Sequence, residues 1–500
     1  MNQPAQGLGW FSLSFQGAAA NGSNLLFGRG GFQAGQSGSA SNPFMDYCVE
    51  NALELLDVEG ESFYDARTGS VYVCTAPGGS TPPPGAQVEL AVTRYLLAVG
   101  VPGGDLVQGV SVRGLGFAKT RSTIFEPHGV PGGGDMSAHA RGALTVSNAE
   151  GVTVAQCAFT DVGGSAVVVA GHALGVQVVD STVVGAGAHG VLVLGFSQLI
   201  DATGSDLPRG TRVAGNAISL TGRENKFAAS VAVAIAPRTV VEGNVIYDIP
   251  RTAVYYNDMS ASPAQLLRNN ALFNTNRETT DTGPVYTYQR LVFLGDNAAG
   301  PGVEPDLAQH EANLIMANYG SFWPLDYDDG TMNVQDSLNV LLYGGAKQYL
   351  GHSTTHANSW IVYPDLSPNF GFPYCLMSFS AELYYSGYGH VYANNSCVLA
   401  DASAHAYNYS PCNETNSADP PMTRSYANRF FSPATGSGGL GAVRVACSQD
   451  TLSIAQWQAG TGNEAGSSAG PMPDPGALAD ELYAFLPGPE SGGSGRPWGA

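Results

Sequence analysis

The chain has 500 residues, of which 44% are hydrophobic and only 12% charged, so it can bury a sizeable core, in one elongated domain or in up to three ordinary ones. Its 21 Lys and Arg against 41 Asp and Glu give a net charge of −20, which disfavours nucleic acid and anionic membranes and leaves a neutral or glycan-like partner as the better match. No stretch approaches the roughly 18 uninterrupted apolar residues of a membrane span.

In chain order, the opening "MNQPAQGLGW" has neither a basic n-region nor an apolar h-region, so it is not a secretory signal. Residues 45–74, "MDYCVENALELLDVEGESFYDARTGSVYVC", mix a short helical register with a hairpin through Arg67, Thr68 and Gly69, and "GGSTPPPG" reads as a loop. Between 152 and 274 the text falls into short β-branched runs separated by Gly, Asn and Asp, among them "VTVAQCAF", "VQVVDSTV", "TRVAGNAI", "TVVEGNVIYDI" and "LLRNNALF". A polar or small residue followed by an apolar step recurs at Cys157, Ser181, Asn216, Asn244 and Asn270, at intervals of 24, 35, 28 and 26. That period belongs to stacked solenoids, and three short strands per coil fill it.

The predicted fold is therefore all-β, a right-handed parallel β-helix with three strands per coil. Asn216, Asn244 and Asn270 are expected at a coil corner, where Asn tolerates left-handed backbone and can hydrogen-bond along a ladder. A propeller or sandwich is disfavoured, because the strands come three per coil without Asn-Gly hairpin turns. The expected divisions are a small N-terminal β/α segment over 1–105, the β-helix over 106–400, a loop-rich region over 401–458, and a Gly/Ser/Pro-rich tail over 459–500. Within the tail "GALADELYAFLPG" reads as a short helix, and the last dozen residues as disordered.

Seven cysteines contain no C-x-x-C, so no zinc pattern. Cys375, Cys397, Cys412 and Cys447 cluster near the sequons at Asn394, Asn408 and Asn413, which points to a secreted or cell-wall glycoprotein with two disulfides in one of three pairings. The competing explanation is scattered core cysteines and chance sequons, and Cys157 is read as core. If the protein is secreted, the missing leader implies a fragment or an incomplete gene model.

Residues 24–75 resemble the segment preceding the helix in many parallel β-helix carbohydrate-active proteins, through "GRGGFQ" and "VENALELLDVEGESFYDARTGSVYV", with Ser62 where a Trp is usual. "PRGTRVAGNAI", "VVEGNVIYDIPRTAVYYNDM", "NNALFNTNRETTDTGP" and "DYDDGTMNVQDSLNVLLYGGAKQYLGH" resemble, in the same order, a family of right-handed β-helix proteins from algae and other protists. That family reads R-E-x-x-D-H-G-P-F-N-S-W-D-R where this chain has "RETTDTGPVYTYQR", so Thr282 stands for a His and Gln289 for an Asp. More distantly the layout is similar to β-helical glycoside hydrolases, including α-L-fucosidases and xylanases, which use paired aspartates on adjacent coils. The resemblance implies a carbohydrate-active β-helix.

Glycoside hydrolysis needs two carboxyl groups flanking the scissile bond, and "LDYDDG" supplies a second acidic cluster 45 residues beyond Asp281. The candidate catalytic residues are Asp281 with Asp326 or Asp329. An interval of one coil plus a loop favours retention of anomeric configuration, and one of two coils favours inversion. Strand alternation places Asp326 and Asp328 on one face and Tyr327 on the other, while Asp329-Gly330 reads as a turn. Candidate substrate contacts are Arg277 and Arg290 flanking Asp281, Asn257 and Asp258 one coil earlier beside Tyr255 and Tyr256, Tyr286 and Tyr288 on one face, and Lys347 and His352 beyond the second cluster. Arg277 and Arg290 have an equal alternative as bridges between coils.

Three functions follow. The leading one is a secreted hydrolase of a cell-wall or extracellular polysaccharide, without cofactor or metal, acting as a monomer. The second is a non-catalytic carbohydrate-binding or structural protein, favoured by Thr282 and Gln289. The third is a polysaccharide lyase or epimerase, for which calcium would bind Asp326, Asp328 and Asp329. Fold alone does not choose among them.

Overall fold

The computed structural model describes residues 14–22, 24–31, 49–75, 84–85, 87–131, 135–196, 206–257, 264–289, 307–321, 323–366, 374–379, 389–410, 423–447 and 450–486. Among these, the residues between 49 and 92 belong to one compact unit, and those of 14–31 and 93–486 to the other. Within the first, a single 3₁₀ turn at Leu53–Leu55 precedes an antiparallel hairpin of Ser62–Asp65 with Ser70–Val73. Asp65 accepts from the Arg67 backbone N–H at 2.9 Å and closes the turn expected there.

The second unit is a parallel β-helix. Its strands stack into three long sheets of 11, 12 and 15 strands among the described residues. Each coil visits them in turn: Val240–Glu242, Val245–Tyr247 and Val254–Asn257 make one coil, and Leu266–Arg268, Ala271–Phe273 and Val285–Tyr288 pair with them in register as the next. Strands of three or four residues suffice because alternate side chains turn into the lumen, where Val241, Ile246, Val254 and Tyr256 are fully buried. The stacking continues beyond residue 400, where His405–Ser410, Thr423–Tyr426, Arg429–Phe431 and Arg444–Cys447 complete further turns.

The tight corner between the 11- and 12-stranded sheets carries an asparagine ladder. Asn216, Asn244, Asn270 and Asn313 each donate from Nδ2 to the Oδ1 of the next, at 3.0 Å, ending on Asn339. The same oxygen also accepts the backbone N–H of the preceding rung, at 2.9 to 3.0 Å. Cys157 and Ser181 precede these rungs, and Ser359, Asn395 and Asn428 follow them. One expectation needs correcting: the ladder residues are not left-handed. Positive φ falls on the residue before each rung, at Gly215, Gly243, Asn269, Ala312 and Leu338. That single left-handed residue turns the chain, which frees the next side chain to point inward and bond along the axis.

In later coils the lumen turns polar. His310, Asp336 and His356 occupy successive rungs of the 11-stranded sheet, all buried. The two carboxylate oxygens of Asp336 lie 3.3 Å from His310 Nδ1 and 2.6 Å from His356 Nδ1, and Tyr327 donates its hydroxyl to the same carboxylate. Cys375, just before the strand Leu376–Phe379, and Cys397, in Ser396–Val398, form a buried disulfide, and Cys447 is also disulfide-bonded. Cys412 lies outside the described residues, and Cys157 is buried in the core as expected. The short helix expected in the tail spans Pro475–Phe485, capped by Asp474, whose Oδ1 accepts from Gly476 N and Ala477 N. It packs Leu478, Leu482 and Phe485 against Val340, Trp360 and Val398 on the 12-stranded sheet. Residues 487–500 lie outside the described residues.

Candidate functional site

The outward face of the 15-stranded sheet changes character along the axis. One in-register row runs Leu192, Ala232, Tyr255, Tyr286, Asp326, Lys347, Met377. Its first half is covered by the segment between Gly116–Ala118 and Gly142–Glu150, which lays Met136 and Ala138 on Leu192, Ala232 and the tyrosines. At Asp326 the row becomes charged. The strand Val285–Tyr288 pairs directly with Leu325–Tyr327, so Asp281 and Asp326 are separated by one coil plus a loop.

Lys347 Nζ lies 3.0 Å from Asp326 Oδ1 and 2.7 Å from Asp328 Oδ1, and 4.6 Å from the centre of the Trp323 ring. The other Asp328 oxygen accepts from Tyr286 OH at 2.9 Å. Asp326 and Asp328 therefore share a face, with Tyr327 turned into the lumen. Burial opposes the charge on Lys347, yet Asp326 and Asp328 more than offset it, and the ammonium is held well above its ordinary range. Burial pushes Asp326 strongly upward against the pull of Lys347. Lys347 is charged, held between the carboxylates of Asp326 and Asp328.

Asp281 sits in the corner between sheets, in left-handed backbone (φ 53°) that Asp tolerates. The residue is exposed. Surrounding protein raises its carboxyl above the usual range, Lys347 lowers it, and Asp328 and Asp329 raise it further. Water reaches the side chain, which limits how far desolvation can act. The following Thr-Gly-Pro shapes this corner. Thr282 is buried, with its Oγ1 accepting from Asn276 Nδ2 at 2.7 Å, so it braces the corner. Gly283 is required because a Cβ there would come 2.2 Å from the Trp323 carbonyl oxygen and 2.9 Å from Asp326 Cβ.

The other candidates divide. Asp329 forms the expected turn with Gly330, accepts from Gln289 N–H at 3.0 Å through its carbonyl, and contributes its charge to Asp281. Tyr286 and Tyr288 share a face with Tyr255, but all three are buried, as is Tyr256 on the lumen side, so none is an open platform. Asn257 is buried too, donating to the Pro131 carbonyl at 2.6 Å and accepting from Tyr255 OH at 2.8 Å. Arg277 lies 3.6 Å from Asp248 and 5.4 Å from the Tyr319 ring centre, and Glu278 pairs with Lys226 at 2.8 Å, both contacts between coils. His352 bonds Ser353 on the turn after Ala346–Tyr349, one coil beyond Met332. Asp258 and Arg290 lie outside the described residues. Residue reading undervalued Asp328 and missed Asp135 and Arg251, a buried pair at 3.1 Å beside Tyr255 and Tyr286. A lone Arg in "IYDIPRTAVYY" was the available signal for the latter.

No family model matches the chain, and no curated protein matches it. Among solved structures it is similar to a protein titled "Glycoside hydrolase", at 16% identity and a TM-score of 0.44 over 62% of this chain and 57% of that one. A tailspike protein of E. coli bacteriophage HK620 aligns at 12% identity and a TM-score of 0.32, over 68% of this chain and 54% of that one. The A-module of the mannuronan C-5 epimerase from Azotobacter vinelandii aligns at 10% identity and a TM-score of 0.31, over 74% and 89%. The chain thus spans little more than half the length of the first two.

Proposed function

We propose that this protein hydrolyses glycosidic bonds of an extracellular or cell-wall polysaccharide, with Asp281 as general acid and Asp328 as nucleophile or base. The observation that carries this reading is the exposed Asp281, its carboxyl raised, in the field of an Asp328 whose two oxygens are fixed by Lys347 and Tyr286. Two carboxyl groups with different surroundings are what acid and base roles require. Asp326 supports them by anchoring Lys347, and Asp329, also beside Asp281, is the alternative base. Direct pairing of the two strands supports a spacing of one coil plus a loop, not two coils, between the acidic clusters, the interval that favours retention. The disulfides suit an oxidising compartment.

The lyase reading is weaker. The Lys347 ammonium already lies between Asp326 and Asp328, where calcium would bridge them, and a lysine held so firmly protonated is a poor base. The binding or structural reading draws on the burial of Asp326 and the tyrosines. The deciding experiment measures reducing ends and unsaturated-product absorbance from a panel of wall polysaccharides, with and without EDTA, for wild type, Asp281→Asn and Asp328→Asn. Reducing ends that fall at least about 100-fold in both variants and ignore EDTA are expected; proton NMR of the first product should show the retained anomer. Glycan retention without turnover in any of the three proteins would sink the hydrolase.

A further inference from the structure

The segment between Gly116–Ala118 and Gly142–Glu150 does more than cover apolar surface. It delivers Asp135, buried and in left-handed backbone, onto the outer face of the coils. There its Oδ2 lies 3.1 Å from Arg251 Nη2, a guanidinium fully closed off from water. The guanidinium carbon sits 4.5 Å from the Phe227 ring centre, 5.1 Å from Tyr286 and 5.5 Å from Tyr255. Tyr255 and Tyr286 stack at 5.0 Å, and Tyr286 reaches Asp328. A continuous chain of contacts thus runs Asp135, Arg251, Tyr286, Asp328, Lys347, Asp326.

We propose that Asp135 is a positioning residue for Asp328: with Arg251 it fixes the phenol of Tyr286, which in turn holds Asp328 against Lys347. Its catalytic meaning rests on the hydrolase reading; the positioning does not. The groups bearing on the Asp135 carboxylate are Arg251, Tyr255, whose hydroxyl donates to Oδ2 at 3.4 Å, Tyr286 and Asp328. Tyr286 donates its one phenolic proton to Asp328, and the hydroxyl that reaches Asp135 Oδ2 is that of Tyr255. Burial pushes the Asp135 carboxyl up to about 6 against the pull of Arg251. An ion pair this deep gives little net stability over an apolar replacement, and a fixed orientation next door is a reason for its presence.

The test uses the full chain carrying Asp135→Asn, Tyr286→Phe, or both. Competitive acetylation with acetic anhydride across pH 7 to 11, read by mass spectrometry on the Lys347 peptide, needs no substrate. A loosened Asp328 should lower the lysine's affinity for its proton by at least half a unit, so acetylation at fixed pH should rise about threefold or more. Because the two residues act in series, the double variant should match the singles. On any polysaccharide cleaved by the wild type, kcat should fall about tenfold to a hundredfold with KM within about twofold. Unchanged Lys347 acetylation in folded variants, or an additive double variant, would overturn the proposal. Altered acetylation in a protein that cleaves nothing would support the positioning and fail only the hydrolase. If Asp135→Asn does not fold, Tyr286→Phe, which removes a single oxygen, decides alone.

Discussion

Asn270→Ala tests the ladder directly. The wild-type Nδ2 donates to the carbonyls of Val241 and Arg268 at 2.9 Å and to Asn313 Oδ1 at 3.0 Å, while Oδ1 accepts from Asn244 N at 2.9 Å and Asn244 Nδ2 at 3.0 Å. Residue 270 is fully buried, so no water replaces these partners. Truncation orphans the Asn244 backbone N–H, costing about 1–3 kcal/mol, and removes donors from two carbonyls at about 1 kcal/mol each. The expected loss is about 3–5 kcal/mol, a large share of the roughly 5–15 kcal/mol typical of a folded domain. Asn270→Asp should be worse, because an acceptor oxygen would face three acceptors. Ser181→Ala near the ladder's start should cost about half as much, since Oγ serves only Cys157 N and Val179 O. Urea unfolding followed by tryptophan fluorescence and circular dichroism, with coincident transitions and unchanged slope, reads these differences. A loss below about 1 kcal/mol for Asn270→Ala, or better tolerance of Asp than Ala, would refute the reasoning.

Two further outcomes follow from buried charge. Burial works against the Asp336 carboxylate, but His356 and His310 overcome it and lower the group to about 2, so its contribution is present above the ordinary range near 3.8 and lost as pH falls from there through about 2. Stability measured by urea midpoints should drop over that window, and Asp336→Asn should flatten the drop while costing about 2 kcal/mol at neutral pH. Asp135 acts in the opposite sense, because its folded value is raised: its contribution is complete below about 4 and declines as pH rises through about 6. Lys347→Met, which leaves Asp326 buried without its counter-charge, should cost about 3–5 kcal/mol, and adding Asp326→Asn should recover part of it; no recovery in the same titration would disprove the pairing.

The sequence by itself determined the solenoid, because its signals are local. Strand runs, the corner rungs at 157, 181, 216, 244 and 270, the Arg67 hairpin and the tail helix each need only a few neighbouring residues to be recognised. Alternation along "LDYDDG" likewise sets Asp326 and Asp328 on one face and Tyr327 on the other. Even the polar lumen was written at fixed offset: His310, Asp336 and His356 each stand three residues before a rung, where Val213, Val241 and Leu267 stand in earlier coils. The composition of the site was not legible in this way. A solenoid brings residues together by coil count, and loops of unequal length between coils hide that count from the sequence. Only the stacked structure aligned Tyr286, Asp326 and Lys347 on neighbouring strands, turned Arg277 and Glu278 to other coils, and closed Tyr255 and Tyr286 beneath a segment starting more than a hundred residues earlier. That segment's Asp135 meets Arg251 across 116 positions of chain, a contact fixed by which face of the sheet needs cover.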